Sequence, residues 1–221
     1  RKASDSQLIE MPPEHENRET LAGTVAPEIE NTEPTDSAAA FSADAAPVDG
    51  EVYVSESFEF IHYTDGGIEL TKYIGNDSSV DISSEIAGYP VSRIGAGAFE
   101  NCAYVENIFM WANVISIGAA AFRNCTKLKS FDVPSSVTII EDSTFENCTS
   151  LENIYIWGEI TSIGNSAFRN CAALKSVDIS SSCNSIGASA FQGCISLASI
   201  YFWGTYVTCG ADAFANCPNL G

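Results

Sequence analysis

The chain has 221 residues, of which 29 are acidic and 10 are basic, so its formal net charge at pH 7 is −19. This charge argues against binding to nucleic acid or to anionic lipid, since both depend on clusters of Lys and Arg. No apolar run reaches the about 18 residues that a membrane-spanning helix needs, so we expect no membrane insertion of this segment.

Residues 1–50 differ in composition from the rest of the chain. They carry eleven acidic residues, three basic residues and five of the eight prolines. Such a segment cannot bury enough apolar surface to offset the entropy lost on ordering. We predict a disordered acidic leader that links the folded part to an anchor; an arm packed on the folded domain is the alternative. Arg1 and Lys2 lead directly into polar sequence, so we expect the signal and the anchor to lie outside this sequence.

Residues 51–75 are predicted to form an N-terminal cap. Two segments rich in strand-forming residues, Phe58–Tyr63 and Ile68–Tyr73, flank the turn sequence Asp65-Gly66-Gly67. Asp-Gly is typical of tight turns between antiparallel strands. The sequence therefore predicts a strand pair at the start of the folded part.

A 23-residue repeat occupies the remainder of the chain. Its most regular positions are a phenylalanine and a cysteine three residues later. The phenylalanines are Phe99, Phe122, Phe145, Phe168, Phe191 and Phe214, and the cysteines are Cys102, Cys125, Cys148, Cys171, Cys194 and Cys217. The first five repeats continue with a segment of the L-x-x-I-x-I type, in which other apolar residues replace some of these, and its alternation is that of a strand with one buried face. A single coil of this length cannot fold alone, so the coils must stack on one another.

The unit I-G-x-x-A-F-x-x-C-x-x-L-x-x-I-x-I resembles the 23-residue leucine-rich repeat of BspA-like surface proteins. Residues 58–94 also resemble the lead-in of that family. The resemblance implies an α/β solenoid of about six coils over residues 76–221, with one parallel β-sheet and short helical or 3-10 turns on the opposite side. The usual Ile-Pro after the strand survives only as Val133-Pro134. Because the chain stops at Gly221, before the strand of the sixth coil, we expect a fragment or a short protein with an open end.

The eight cysteines occupy positions that are apolar in a coil. We predict that all eight are buried free thiols. Disulfides between stacked coils are the alternative, although parallel Cβ vectors disfavour them. The sequence has no Cys-x-x-Cys pair and only two histidines, His15 and His62, so it predicts neither a zinc site nor a nucleophile–base pair. We expect a protein that is not an enzyme and has no cofactor.

Tryptophan recurs every 46 residues, in alternate coils and at the same coil position. Side chains two apart in a strand share a face, so each tryptophan and the residue two before it should point outward. We predict a binding surface in which aromatic strands alternate with aspartate-bearing strands. Its residues are Phe109, Trp111, Asp132, Tyr155, Trp157, Asp178, Tyr201 and Trp203.

Three interpretations of this surface remain open. It binds a protein or a glycan, it packs on a second copy of the chain as a homodimer, or its aromatic residues only stiffen the sheet. The family resemblance implies an extracellular or cell-surface attached protein, of a bacterium or a mucosal parasite, that adheres to a host extracellular protein. A non-catalytic accessory module of a larger secreted enzyme is the alternative function.

Overall fold

The computed structural model describes residues 39–40, 48–55 and 57–221. Within these residues the chain forms seventeen strands and no helix. The predicted leader lies mostly outside the described residues. Of it, Ala39–Ala40 forms a short strand, β1, which runs parallel to the next strand of the chain.

The N-terminal sheet contains the predicted cap. Its other strands are β2 (Val52–Ser55), β3 (Phe58–His62), β4 (Ile68–Tyr73), β6 (Glu85–Ile86), β7 (Tyr89–Ile94) and β9 (Ser116–Ile117). Antiparallel β3 and β4 agree with the predicted strand pair, and Gly66 in their turn has a φ of 86°, a conformation that glycine adopts without strain. Strand β4 pairs in parallel with β7, and β7 with β9, so the cap is continuous with the repeats.

The repeats form stacked coils, numbered here 1 to 6 by their phenylalanine, from Phe99 to Phe214. The long strands are β5 (Ser79–Ile82), β8 (Asn107–Met110), β10 (Ser130–Val133), β12 (Asn153–Ile156), β14 (Ser176–Ile179) and β16 (Ser199–Phe202). The short strands are β11 (Ile139–Ile140), β13 (Ser162–Ile163), β15 (Ser185–Ile186) and β17 (Thr208–Cys209), which form one parallel ladder.

The long strands pair two by two, which corrects the prediction of one parallel sheet. Parallel ladders join β5 to β8, β10 to β12 and β14 to β16. The backbone N–H of Trp111 extends the first of these ladders by donating to the carbonyl of Ile82 at 2.9 Å. Pro134 holds the position of Trp111 in the next coil and has no N–H to donate, so β10 cannot bond to β8 in this way.

The segments that precede the long strands are turns, and the described residues form none of the predicted helical or 3-10 segments. Three alternate N–H groups of coil 1, from Gly97 to Asn101, donate to carbonyl oxygens of coil 2 at 2.7–3.0 Å. Two residues of each coil, four positions apart, also adopt a left-handed conformation, such as Ser143 and Asn147 in coil 3; in five coils the second of them is an asparagine, with φ of 58–65°. Because alternate N–H groups bond between coils and the left-handed residues interrupt the turns, neither a helical i to i−4 pattern nor a continuous 3-10 run forms in these segments.

A column of phenylalanine rings runs through the core. Neighbouring rings from Phe99 to Phe214 have centroids 5.1–5.5 Å apart and planes within 24° of parallel. Tyr73 of β4 stacks on Phe99 at 5.3 Å and extends the column into the cap. These distances are close to the spacing of about 4.8 Å between paired strands, so ring stacking and strand pairing favour the same separation of the coils.

All eight cysteines are free thiols, and six of them are buried. The prediction that all eight are buried is wrong at Cys209, which is exposed, and at Cys217, which is half-buried. Cys209 belongs to β17, the last strand of its ladder, so a neighbouring strand covers it on one side only.

Candidate functional site

The eight predicted binding residues are all exposed. The exposed fractions of the six aromatic side chains range from 47% for Tyr155 to 71% for Trp203. Most of their neighbours along the strands are buried or half-buried, as Val133 and Ile154 are; the exception is Phe202 in the last long strand, which is exposed. Alternation along the strand therefore places these residues on the outer side of the long strands, as the sequence predicts. We call this set of eight residues, together with Asp81, the aromatic face.

Each ladder of the aromatic face sets an aspartate beside an aromatic residue. The cross-strand pairs are Asp81 with Phe109, Asp132 with Tyr155 and Asp178 with Tyr201. Sequence reasoning missed Asp81, which belongs to the strand before the first full coil. The sequence does contain a signal for Asp81, because Ser79–Ile82 has the same four residues as Ser176–Ile179.

Two tryptophans reach back to the aspartate of the preceding long strand. Trp111 Nε1 donates to Asp81 Oδ1 at 3.3 Å, and Trp157 Nε1 donates to Asp132 Oδ1 at 3.1 Å. The ring of Tyr155 stacks beside that of Trp157, with centroids 6.1 Å apart. These contacts hold exposed indole rings in defined orientations. The two hydrogen bonds join residues 25 and 30 positions apart, so the local pattern does not predict them.

The third pair, Asp178 and Trp203, differs from the other two. Neither side chain has a hydrogen-bond partner within the part of the chain that the structure describes. A groove of about 260 Å³ opens here, with Trp157 and Trp203 among its lining residues. The groove is lined by Ile156, Trp157, Gly158, Glu159, Asp178, Ser180, Ser181 and Trp203.

Sequence reasoning also missed Glu159, which lines this groove. Its equivalents one 46-residue period away are Asn113 and Thr205, so no repeat signal marks it. The hydroxyl of Ser182 in the next coil donates to Glu159 Oε2 at 2.5 Å. The stacking of the coils places this carboxylate in the same groove as Asp178.

The outward positions of the long strands include three aspartates and no basic residue. Lys129 and Lys175, which precede β10 and β14, are already paired: Lys129 Nζ lies 2.7 Å from Glu106 Oε2, and Lys175 Nζ lies 2.6 Å from Glu152 Oε2. The hydrogen bond and charge of Lys175 lower the pKa of Glu152. The carboxylates of the aromatic face therefore have no basic partner on that face.

The described residues contain no group of three or more His, Cys, Asp or Glu side chains placed to hold a metal ion. Among the same residues, no helix has the length and apolar character needed to cross a membrane. The chemistry of the aromatic face suits binding to a partner. Its indole and phenol rings offer apolar surface, and its carboxylates accept hydrogen bonds or pair with cations.

Solved structures of bacterial leucine-rich-repeat proteins are similar to this chain. A leucine-rich-repeat protein of T. pallidum is 27% identical with a TM-score of 0.66, over 75% of this chain and 88% of that one. A leucine-rich cell surface protein of Faecalibacterium prausnitzii A2-165 is 29% identical with a TM-score of 0.67, over 81% of this chain and 55% of that one. A leucine-rich-repeat protein of Bacteroides ovatus ATCC 8483 is 29% identical with a TM-score of 0.70, over 76% of this chain and 45% of that one. The chain thus corresponds to about half the length of the last two proteins.

No curated protein matches the chain at a significant level. The family model of the BspA type leucine-rich repeat region matches residues 92–221 in six copies. Neither this model nor the three structures above indicates a catalytic family. The match covers more than half of the sequence and confirms the resemblance found in the repeat unit, so the chain belongs to the BspA-type leucine-rich-repeat family.

Proposed function

We propose that this chain is a binding module, extracellular or attached to a cell surface, that adheres to a host extracellular protein or glycan through its aromatic face. The observation that carries the proposal is the set of six exposed aromatic side chains repeated along one side of the stacked coils. Monomeric soluble proteins rarely expose contiguous apolar patches larger than roughly a few hundred Å², and patches above that size mark interaction sites. Tyrosine and tryptophan are also the residues that contribute most to binding energy in interfaces.

The hydrogen bonds within the aromatic face support a binding role. Trp111 and Trp157 each donate to an aspartate of the preceding long strand, so their rings are oriented before a partner arrives. A side chain that is already ordered loses less conformational entropy on binding. Cross-strand packing alone would stiffen a sheet equally well with the rings less exposed.

The family and one similar structure support the proposed surface location. The protein of Faecalibacterium prausnitzii is described as a leucine-rich cell surface protein, and it is 29% identical to this chain. The family model likewise describes the BspA type of repeat. A non-catalytic accessory module of a larger secreted enzyme would use the same aromatic face, because such a module also works by binding.

The test is to probe arrays of host extracellular proteins and oligosaccharides with the purified chain, and then to compare variants on every positive spot. We expect Trp157→Ala to weaken binding by about 2 kcal/mol, or roughly thirtyfold, because Trp157 lies in the middle of the aromatic face. Its thermal midpoint should change little, since an exposed ring leaves no core cavity.

Ile195→Ala is the matched control, because Ile195 is as exposed as Trp157, at 53%, and lies outside the aromatic face. This variant should bind like the parent. If Trp157→Ala also binds like the parent, the aromatic face is not the binding surface and the proposal is wrong.

A further inference from the structure

We infer that the groove between Trp157 and Trp203 binds a basic side chain of a protein partner, above all an arginine, with Asp178 as its counter-ion. The inference rests on the proposed function, since it names the partner class for one part of the aromatic face. We call this part the Asp178 groove; its lining residues are those given above.

The first argument is that Asp178 is available where its equivalents are engaged. Asp81 and Asp132 each accept an indole N–H from the next long strand. Asp178 is exposed, and within the described residues its carboxylate accepts no such bond. Both of its oxygen atoms can therefore accept the parallel N–H groups of a guanidinium, which is the strongest pairing geometry for a carboxylate.

The second argument is the aromatic lining. The indole rings of Trp157 and Trp203, 53% and 71% exposed, both line the groove. A cation near the face of an indole ring is attracted by the negative potential of that face, and tryptophan provides the strongest such site. Arginine suits this lining better than lysine because its planar group can stack on an indole ring while it pairs with a carboxylate.

The third argument is charge. Glu159 adds a second carboxylate to the groove, and the lining includes no basic residue. Sulfated or sialylated glycans would be repelled by these acids, and a neutral glycan would leave them without a partner of opposite charge. A basic protein segment matches them, and the net charge of −19 would also speed its approach.

The experiment uses three blocked pentapeptides, Gly-Gly-X-Gly-Gly, in which X is arginine, lysine or citrulline. Citrulline keeps the shape of arginine without its charge. Indole fluorescence and the NMR shift of the Trp203 indole N–H report binding to the full chain. We expect the arginine peptide to bind at least about tenfold more tightly than the citrulline peptide, with lysine between them. Raising NaCl from 20 mM to 500 mM should weaken the arginine peptide most, since screening acts on the charged pair.

Matched variants locate the site. Asp178→Asn should reduce the preference for arginine over citrulline to less than about threefold, because the counter-ion is lost. Asp212→Asn removes an exposed carboxylate outside the aromatic face, at a position whose φ of 56° asparagine tolerates, and should keep the preference. Trp203→Ala should weaken all three peptides, whereas Ile195→Ala, also outside the aromatic face, should not.

Equal binding of the arginine and citrulline peptides, or an unchanged preference in Asp178→Asn, would overturn this inference. The proposed function fails separately. If a neutral oligosaccharide binds without salt dependence and Trp157→Ala abolishes that binding, the aromatic face is a binding surface and the inference about arginine is wrong. If the peptides and the array ligands are all insensitive to Trp157→Ala and Trp203→Ala, both proposals are wrong.

Discussion

At the scale of single residues, the row of cysteines has a structural explanation. The thiol of Cys148 donates to the carbonyl oxygen of Phe122, one coil earlier, at 3.1 Å, and the equivalent bond recurs from Cys125 to Cys217. Cysteine is small and apolar enough for this interior position, and it also has a weak donor that satisfies a buried carbonyl. Burial raises the pKa of the Cys148 thiol to about 12 and raises that of Cys171 as well.

These thiols should react slowly. A raised pKa leaves little of the reactive thiolate at pH 8, and burial blocks the reagent. In a titration of the folded chain with a thiol reagent, we expect one fast thiol, the exposed Cys209, an intermediate rate for the half-buried Cys217, and slow reaction of the six buried thiols. Unfolding in denaturant should release all eight as free thiols. Recovery of paired ladder cysteines from a non-reducing digest would contradict this prediction.

Asparagine has a comparable role in the turns. Asn124, Asn147 and Asn170 are left-handed, and the side-chain amide of each donates to the asparagine of the previous coil at 2.7–2.9 Å. Asparagine tolerates positive φ better than most residues other than glycine. The same residue type therefore allows the turn and links one coil to the next.

At the scale of the coils, two kinds of boundary alternate along the solenoid. Where an even coil meets the next odd coil, the long strands form a ladder, as β10 and β12 do. Where an odd coil meets the next even coil, the long strands form no ladder, and ion pairs join the two coils. Glu100 pairs with Arg123, and Glu146 Oε1 lies 3.8 Å from Arg169 Nη1. The 46-residue period of the sequence is thus a period of coil-to-coil contacts as well as of exposed tryptophans.

The phenylalanine column predicts a difference between a central coil and the last one. Phe145 is fully buried and stacks between two rings, each 5.3 Å away, whereas Phe214 is partly buried and stacks on Phe191 at 5.5 Å. We expect Phe145→Ala to lower the free energy of unfolding by about 3–5 kcal/mol, because it opens a cavity. Phe214→Ala should cost distinctly less in the same denaturant titration. Equal costs would mean that another element covers coil 6.

At the scale of the whole molecule, the aromatic face extends over several stacked coils. Each coil contacts only its neighbours, as in other repeat proteins. The aromatic face repeats along this array because the 46-residue unit repeats. A partner that binds several of these positions at once would gain affinity from each.

We expect the chain to be a monomer in sedimentation at micromolar concentration, with Trp157→Ala sedimenting identically. The uncompensated carboxylates of the aromatic face and the net charge of −19 oppose face-to-face packing of two copies, since like charges repel. A parent that forms dimers and a Trp157→Ala variant that does not would identify the aromatic face as an assembly surface instead.

Much of this architecture can be predicted because it depends on residue spacings that repeat along the sequence. The 23-residue spacing of phenylalanine and cysteine sets the coil length and the number of coils. The two-residue alternation in segments such as Asn153–Ile156 separates the buried from the exposed side chains. The family resemblance rests on the same spacings.

The tertiary structure alone decided how neighbouring coils bond. It showed that the long strands pair two by two and that turns replace the expected helical segments. It also showed that Asp132 accepts the indole N–H of Trp157 while Asp178 has no such bond. These features depend on contacts between residues 23 or more positions apart, where one missing N–H at Pro134 or a small displacement of a ring changes the partner. Local sequence patterns report which side a residue faces, but the stacking of the coils determines what it touches there.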